Sequence, residues 1–372
     1  MRAYLLVMLV AAATTFLLCS VCRQLALRTG AVAQVRDRDV HTIAMPYLGG
    51  LAMLFGVGAA FLVALQQPFL GSQELVRHDA VGILMAAAVI CGVGVLDDMF
   101  DLNALAKLAG QVLAAGVAVV NGVKMLWIPL PNSIYSLDDA AAIAITVFFI
   151  VLCVNAINFA DGLDGLAAGV VGIGATAYFG YAYMLTVEQE LVRATTSSLI
   201  TVTIVGVCLG FLPHNFFPAR MFMGDSGAML LGLLMATSTI SLTGQIDPGQ
   251  LQADSGGLIP AYLPLVLPVA VLALPFADLV LAYVRRTVSG GLWFMPDKQH
   301  LHHRLLERGH SHRRAVILMY VWTAVISFGV IAIGFTQTWI TVGVLLVVIA
   351  ALTIITVRRV GRRRAAEEHL QP

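Results

Sequence analysis

Along this chain apolar residues come in long runs and polar residues in short clusters between them. Crossing a bilayer takes a helix of about 20 mainly apolar residues. Eleven runs approach or reach that length: residues 3–21, 47–65, 80–96, 105–120, 140–154, 166–185, 196–212, 228–243, 259–284, 315–335 and 340–357. The pattern predicts an all-α, polytopic integral membrane protein of about eleven transmembrane helices. These helices form one transmembrane domain over residues 1–357, followed by a basic tail over 358–372. No internal repeat, low-complexity linker or separate water-soluble domain interrupts the pattern. The longest gaps are 22–46 and 285–314. Arg2 followed by an apolar run resembles a signal peptide. Because span follows span, this run is expected to stay as an uncleaved first helix.

Composition agrees. Only 12% of the 372 residues are charged and 59% are hydrophobic, whereas soluble domains carry about 25% charged residues. The five cysteines, Cys19, Cys22, Cys91, Cys153 and Cys208, all fall inside apolar runs. They read as small apolar residues rather than a disulfide framework or a Cys-x-x-Cys redox pair. The net charge of +1 is uninformative until the charges are placed in loops. With eleven spans, one face carries only Arg2, Arg77, Lys124 and Arg193, and the other carries the remaining 18 of the 22 Lys and Arg (22 − 4 = 18). Loops rich in Lys and Arg stay in the cytoplasm. The N-terminus is therefore expected outside and the C-terminus in the cytoplasm.

Four polar clusters stand out in this background. The first is Asp97-Asp98-Met99-Phe100-Asp101. The second is Asn155-Ala-Ile-Asn158-Phe-Ala-Asp161-Gly-Leu-Asp164-Gly-Leu166. The third is Phe222-Met-Gly224-Asp225-Ser226-Gly227, and the fourth is Asp297-Lys298-Gln-His300-Leu-His302-His303-Arg304. A carboxylate at the centre of a spanning helix costs about 2.5–3.5 kcal/mol on insertion scales, so such groups mark function or a membrane face. In the expected topology all four clusters sit at cytoplasmic ends of different spans. A channel or proton relay would scatter its charges through the membrane depth. One patch at one face suits an enzyme that takes a substrate from the cytoplasm.

The residue types narrow the chemistry. Asp97 and Asp101 share a helical face if the helix continues, and Asp98 points about 100° away. Carboxylates this close repel one another, and a divalent cation relieves the cost. Carboxylate and amide oxygens suit Mg²⁺ or Mn²⁺ rather than zinc, and Mg²⁺ is commonly held by one or two carboxylates together with substrate phosphates. Gly224-Asp225-Ser226-Gly227 opens a helix whose N-terminus favours an anion or a phosphate-bound metal, although Asp or Ser there also serves as an ordinary N-cap. His300 and His303 share a face with Arg304 alongside, and the basic surroundings favour phosphate over a metal. No Walker-type or dinucleotide-binding glycine pattern is present, and nothing points to nucleic acid. The residues describe a metal-dependent phosphoryl-transfer enzyme whose acceptor lives in the bilayer.

At these four clusters the sequence resembles the polyprenyl-phosphate N-acetylhexosamine-1-phosphate transferase family. The similarity runs from His41 and Pro46-Tyr47-Leu48-Gly49-Gly50 to the histidine cluster. Within the family, Asp97-Asp98-x-x-Asp101 and His300-x-His302-His303 resemble the branch that transfers N-acetylglucosamine 1-phosphate. The branch that transfers phospho-N-acetylmuramoyl-pentapeptide carries Lys at the place of Asp101 and a different histidine loop. The resemblance implies a bacterial plasma-membrane enzyme with UDP-N-acetylglucosamine as donor, a polyprenyl phosphate as acceptor, Mg²⁺ as cofactor with Mn²⁺ as a substitute, and a homodimer as a common state. Its active site would lie on the cytoplasmic face. Three lysines against nineteen arginines, with abundant Ala and Val, point to a GC-rich genome. The acceptor there would be decaprenyl or undecaprenyl phosphate, priming a wall polymer or linker.

Carried over by motif position, the resemblance makes Asn158 and Asp225 the metal ligands. It places Asp97, Asp98 and Asp161 near the pyrophosphate, and sets Asp164, Asn215 and Phe222 around the uracil. His300, His302, His303 and Arg304 would hold phosphate charge. Asp101 would contribute to substrate binding, and Lys107 and Gln111 would face the acceptor phosphate. Asn155 has no assigned role beyond satisfying backbone groups where the helix breaks. An acceptor phosphate is already mostly dianionic at pH 7, so Asp97 or Asp98 is better suited to organising metal or acceptor than to acting as a base. Single displacement and an aspartyl-phosphate intermediate both remain open at this level. So do the peptidoglycan-type reaction and, from another class, a transporter.

Overall fold

The computed structural model describes residues 1–33, 45–130, 133–188, 192–243, 266, 269–270, 310–336 and 339–357. Among them the chain forms helices α1 (Arg2–Thr29), α2 (Gly49–Gln66), the one-turn α3 (Pro68–Gly71), α4 (Glu74–Phe100), α5 (Ala104–Val120) and α6 (Asp139–Ala160). Then follow α7 (Leu166–Glu188), α8 (Val192–Asn215), α9 (Gly224–Thr243), α10 (His312–Thr336) and α11 (Trp339–Val357). Nine of the described helices are long and apolar enough to cross a membrane, and α5, at 17 residues, is a shorter apolar helix. Ten of the eleven expected runs fall on these helices. The run 259–284 lies almost wholly outside the described residues, as does the tail 358–372. All five cysteines are free and buried.

The all-α expectation misses two small hairpins. Val32–Ala33 (β1) pairs antiparallel with Met45–Pro46 (β2), and Trp127–Leu130 (β3) pairs with Ser133–Ser136 (β4). The first of them matters for the site. The Phe222 amide donates to the Pro46 carbonyl at 2.9 Å, and the Gly50 amide donates to the Met223 carbonyl at 3.0 Å. Segment 45–50 thereby lies along the entry to α9.

Helix ends also run past their apolar runs. α1 continues through Arg23 and Arg28 until Gly30, whose left-handed backbone (φ 75°) closes it. α4 carries Asp97 and Asp98 on its last turn, and α6 carries Asn155 and Asn158 on its last two turns. Backbone hydrogen bonding continues past the point where hydropathy drops, because a helix emerging from an apolar layer still satisfies its own carbonyls. The next helices have ordinary starts. The Asn103 side chain accepts from the Ala106 amide at 2.8 Å, and the Asp138 side chain from the Ala141 amide at 2.7 Å.

α9 and α8 form the centre. α9 packs against α4, α6, α8 and α2, while α8 also packs against α1 and α7; α10 leans on α7, and α11 on α10. From Ser226 to Thr243 every α9 residue is buried. Its hydroxyls turn back on their own helix: Thr237 donates to the Leu234 carbonyl, and Ser238 and Thr239 to that of Met235, at 2.9–3.1 Å. A polar-looking segment can thus sit at the middle of the bundle with these three hydroxyls paired, although Ser241 and Thr243, near its far end, make no such bond among the described residues.

Candidate active site

Three of the four polar clusters, those of Asp97, Asn158 and Asp225, converge where the C-terminal ends of α4 and α6 meet the N-terminal ends of α5 and α9. α9 begins at Gly224, whose positive φ of 70° suits glycine. A Cβ there would stand 2.4 Å from an Asp98 carboxylate oxygen. That closeness has a purpose. Asp98 Oδ1 accepts the Asp225 amide at 2.8 Å, and Oδ2 accepts the Ser226 amide at 3.2 Å. A carboxylate from α4 therefore caps α9 across the helix interface, taking two of the amides that have no intrahelical partner. The expectation that this N-terminus is free for a phosphate, or capped by its own Asp or Ser, is corrected. Gly94, one turn before Asp98, makes the approach possible: a Cβ there would lie 2.3 Å from Ser226 Cα.

The centre of the cluster is Lys107, on the first turn of α5. Its ammonium is 2.9 Å from Asp97 Oδ2, bonds to Asp225 Oδ2, and lies 3.5 Å from Asn158 Oδ1. Asn158 in turn donates from Nδ2 to Asp225 Oδ1 at 2.8 Å. Asp97 also accepts the Leu102 amide at 2.9 Å, which fixes the turn between α4 and α5. Lys107, Asp97, Asn158 and Asp225 are all half-buried. Rather than sitting apart to meet an acceptor, Lys107 is gathered into the expected metal-ligand group. Three oxygens, two from carboxylates and one from an amide, converge on a single cationic centre. That donor set is the hard-oxygen kind that Mg²⁺ takes.

Asp161 follows α6, and the Asp161 amide bonds to the Asn158 carbonyl. Burial, then the Asp98 and Asp164 carboxylates nearby, push its carboxyl up to about 7. Asp97 and Asp225 thus share the one ammonium of Lys107, with the Asp98 and Asp161 carboxyls close to each other beside them. The surplus of negative charge is what a bound cation would relieve.

Asp164 and Asn215 are buried, at 5% and 2% exposure, and they act on the backbone. Asp164 Oδ2 accepts the Ala219 amide at 3.0 Å. Asn215 accepts the Gly165 amide at 2.9 Å and donates to the Met221 carbonyl at 3.0 Å. Together they tie the loop after α6 to the loop before α9. Tyr320, on α10, adds its hydroxyl to the Gly165 carbonyl; nothing in its sequence surroundings singled it out. Phe222 is half-buried, with its ring centroid 6.1 Å from that of Tyr47.

Three further expectations are corrected. α4 ends at Phe100, and Asp101 is an exposed C-cap with left-handed backbone (φ 52°), so it does not share a helical face with Asp97. Gln111 is 1% exposed and bonds to Asn155, so its amide is buried between helices instead of being presented to an acceptor phosphate. Asn155 itself sits in intact helix, not at a break. His300, His302, His303 and Arg304 lie outside the described residues.

The model of the family described as glycosyl transferase family 4 matches residues 80–243, the stretch from α4 to α9 that carries every described site residue named here except the Pro46–Gly50 segment and Tyr320. The chain is 42% identical over 368 residues to the decaprenyl-phosphate N-acetylglucosaminephosphotransferase of Mycobacterium tuberculosis, covering 97% of this chain and 91% of that protein. It is 32% identical to a probable undecaprenyl-phosphate N-acetylglucosaminyl 1-phosphate transferase of Bacillus subtilis, covering 92% and 88%. The phospho-N-acetylmuramoyl-pentapeptide-transferase of Desulforudis audaxviator is 35% identical over a shorter stretch, 52% of this chain and 62% of that protein.

Proposed function

The chain belongs to glycosyl transferase family 4, among the polyprenyl-phosphate N-acetylglucosamine-1-phosphate transferases, and we propose that it transfers N-acetylglucosamine 1-phosphate from UDP-N-acetylglucosamine to a decaprenyl or undecaprenyl phosphate, releasing UMP. The observation that carries this reading is the convergence of Asp97, Asn158 and Asp225 on one cationic centre at the end of a membrane bundle. The site would face the cytoplasm, where the nucleotide sugar is, and the acceptor headgroup would reach it from the bilayer. Two acetylmuramoyl-pentapeptide relatives match over 52% and 65% of this chain, against 97% and 92% for the two N-acetylglucosamine relatives above, which supports the N-acetylglucosamine donor. A transporter is not favoured, because the relatives that match over most of the chain are transferases.

In the reaction an acceptor phosphate oxygen attacks the β-phosphorus of the donor. The new P–O bond forms as the bond to the UMP oxygen breaks, and UMP leaves with the electron pair. Mg²⁺, held by Asn158 and Asp225, would neutralise the pyrophosphate and the charge developing on UMP. Lys107 is placed to shift from these oxygens onto a substrate phosphate once the cation supplies the positive charge. Asp97 anchors Lys107 and the α4–α5 turn. Asp98 has both oxygens engaged by α9 amides, and Asp97 has one on Lys107 and one on Leu102. Both carboxylates are thus engaged in holding backbone amides and Lys107, a structural role that favours single displacement over an aspartyl-phosphate intermediate. Retention of configuration at a chiral β-phosphorus would contradict that step.

The test is UMP release by the purified protein in nanodiscs, given decaprenyl phosphate with UDP-N-acetylglucosamine or with UDP-N-acetylmuramoyl-pentapeptide. Release is expected with the first donor, with loss on EDTA and recovery on Mg²⁺. Turnover of the second donor alone, or release unaffected by chelation, would overturn the assignment.

A further inference from the structure

One helical turn below the candidate site a second polar tier joins the same three helices. Asn155 Nδ2 donates to Gln111 Oε1 at 2.7 Å, and Gln111 Nε2 lies 3.4 Å from Asn155 Oδ1 and 3.5 Å from Met229 Sδ. The two primary amides thus exchange hydrogen bonds in both directions, and Asn155 also bonds to the Val151 carbonyl of its own helix at 2.8 Å. The numbering relates the tiers. Gln111 is four residues after Lys107 on α5, Asn155 three before Asn158 on α6, and Met229 four after Asp225 on α9. Spacings of three and four put each member of the lower tier on the same helical face as its upper counterpart.

Burial makes the pair more than glue. Gln111 is 1% exposed. An amide there has no water to fall back on, so sliding or rotating α5 against α6 would leave it unpaired. Lys107 and Asn158 ride on the same two helices one turn away, so this penalty sets how they stand relative to each other and to Asp225. Apolar side chains in the same places could slip past one another at little cost.

We infer that the Gln111–Asn155 amide pair is a positioning device that fixes the register of α5 against α6 and thereby holds Lys107, Asn158 and Asp225 in the geometry that binds the cation and the reacting phosphates. The inference rests on the proposed function for its catalytic consequence, but not for its structural one.

The experiment compares wild type with the apolar double variant Gln111→Met/Asn155→Leu. The readouts are kcat and KM from UMP release, Mn²⁺ affinity by electron paramagnetic resonance without substrate, and the thermal midpoint. The apolar double leaves no orphaned amide, so its midpoint is expected to stay close to wild type. Its kcat is expected to fall about 10- to 100-fold, the scale of a misplacement near 1 Å, with KM for the donor within about two-fold. Mn²⁺ affinity is expected to weaken about ten-fold, as for groups that orient metal ligands. Wild-type kcat and Mn²⁺ affinity in this variant would overturn the inference.

A second comparison decides the matter even if the apolar double does not fold. Asn155→Gln alone overfills the interface and should lose at least about ten-fold in Mn²⁺ affinity. The swap Gln111→Asn/Asn155→Gln, which keeps both amides and their summed length, should recover most of that loss. A swap no better than Asn155→Gln alone would overturn the inference. Absence of UMP release from the wild type sinks the proposed function instead, and the Mn²⁺ measurement still judges the amide pair.

Discussion

α9 and α11 are both apolar helices of nearly equal length, 20 and 19 residues, yet they occupy opposite environments. α9 is buried on every side from Ser226 to Thr243. No described residue of α11 is buried, and it touches the rest of the bundle chiefly through α10. The more apolar of the two is the exposed one: α11 is Val-, Ile- and Leu-rich, whereas α9 carries three glycines, three threonines and three serines. In water this would be inverted. In a bilayer, large apolar side chains gain nothing by leaving lipid, whereas small residues let helices approach and hydroxyls satisfy themselves on their own backbone. Hydropathy therefore locates a span but says little about which span lies at the centre. The exceptions within α9 are at its first turn, where Asp225 is half-buried and the site begins.

The sharpest break in this contrast is at that first turn. Asp225→Ala should lower UMP release by about 10³-fold, the scale of deleting one group that stabilises developing charge. Thr353→Ala, in α11, should leave activity at the wild-type level. Next comes packing. A Cβ at Gly232 would stand 2.4 Å from Val154 Cα, whereas one at Gly343 in α11 would meet nothing within 4 Å. Gly232→Val should destabilise by about 1–3 kcal/mol, read as a lower unfolding midpoint in detergent, and Gly343→Val should stay within about 0.5 kcal/mol. If the two midpoints fall equally, the placement of α9 at the centre is wrong. The smallest effect belongs to the polar tie between α10 and α11, Trp322 Nε1 to Thr356 Oγ1 at 3.0 Å. Thr356→Val should cost about 0.6 kcal/mol, an average value for a hydrogen bond between membrane helices.

Much of the site could be read along the chain because its parts are expensive. Asp97, Asp98, Asn158, Asp161 and Asp225 stand out against an apolar background, and each falls at the end of a helix. What stayed hidden were roles that depend on a partner from another helix. Asp98 reads as a group that organises metal or acceptor until Gly224 and Gly94 bring the α9 amides onto it. Lys107 reads as facing the acceptor phosphate until α5 turns back after Asp101 and delivers it to Asp225. Gln111 and Asn155 are 44 residues apart, and neither has a local feature that names the other. Whether α4 continues to Asp101 is open in the sequence for a similar reason. Only the observed left-handed turn shows that helix periodicity stops at Phe100.

The sequence alone determined that this is a bundle of membrane helices with a carboxylate- and amide-rich end, because the cost of polar groups in an apolar layer is paid residue by residue and is visible in composition and spacing. Only the tertiary structure decided which helix is central, which carboxylate caps a neighbouring helix, and which of two similar amides holds register. Those outcomes depend on what each side chain meets across an interface, a quantity that no single segment carries.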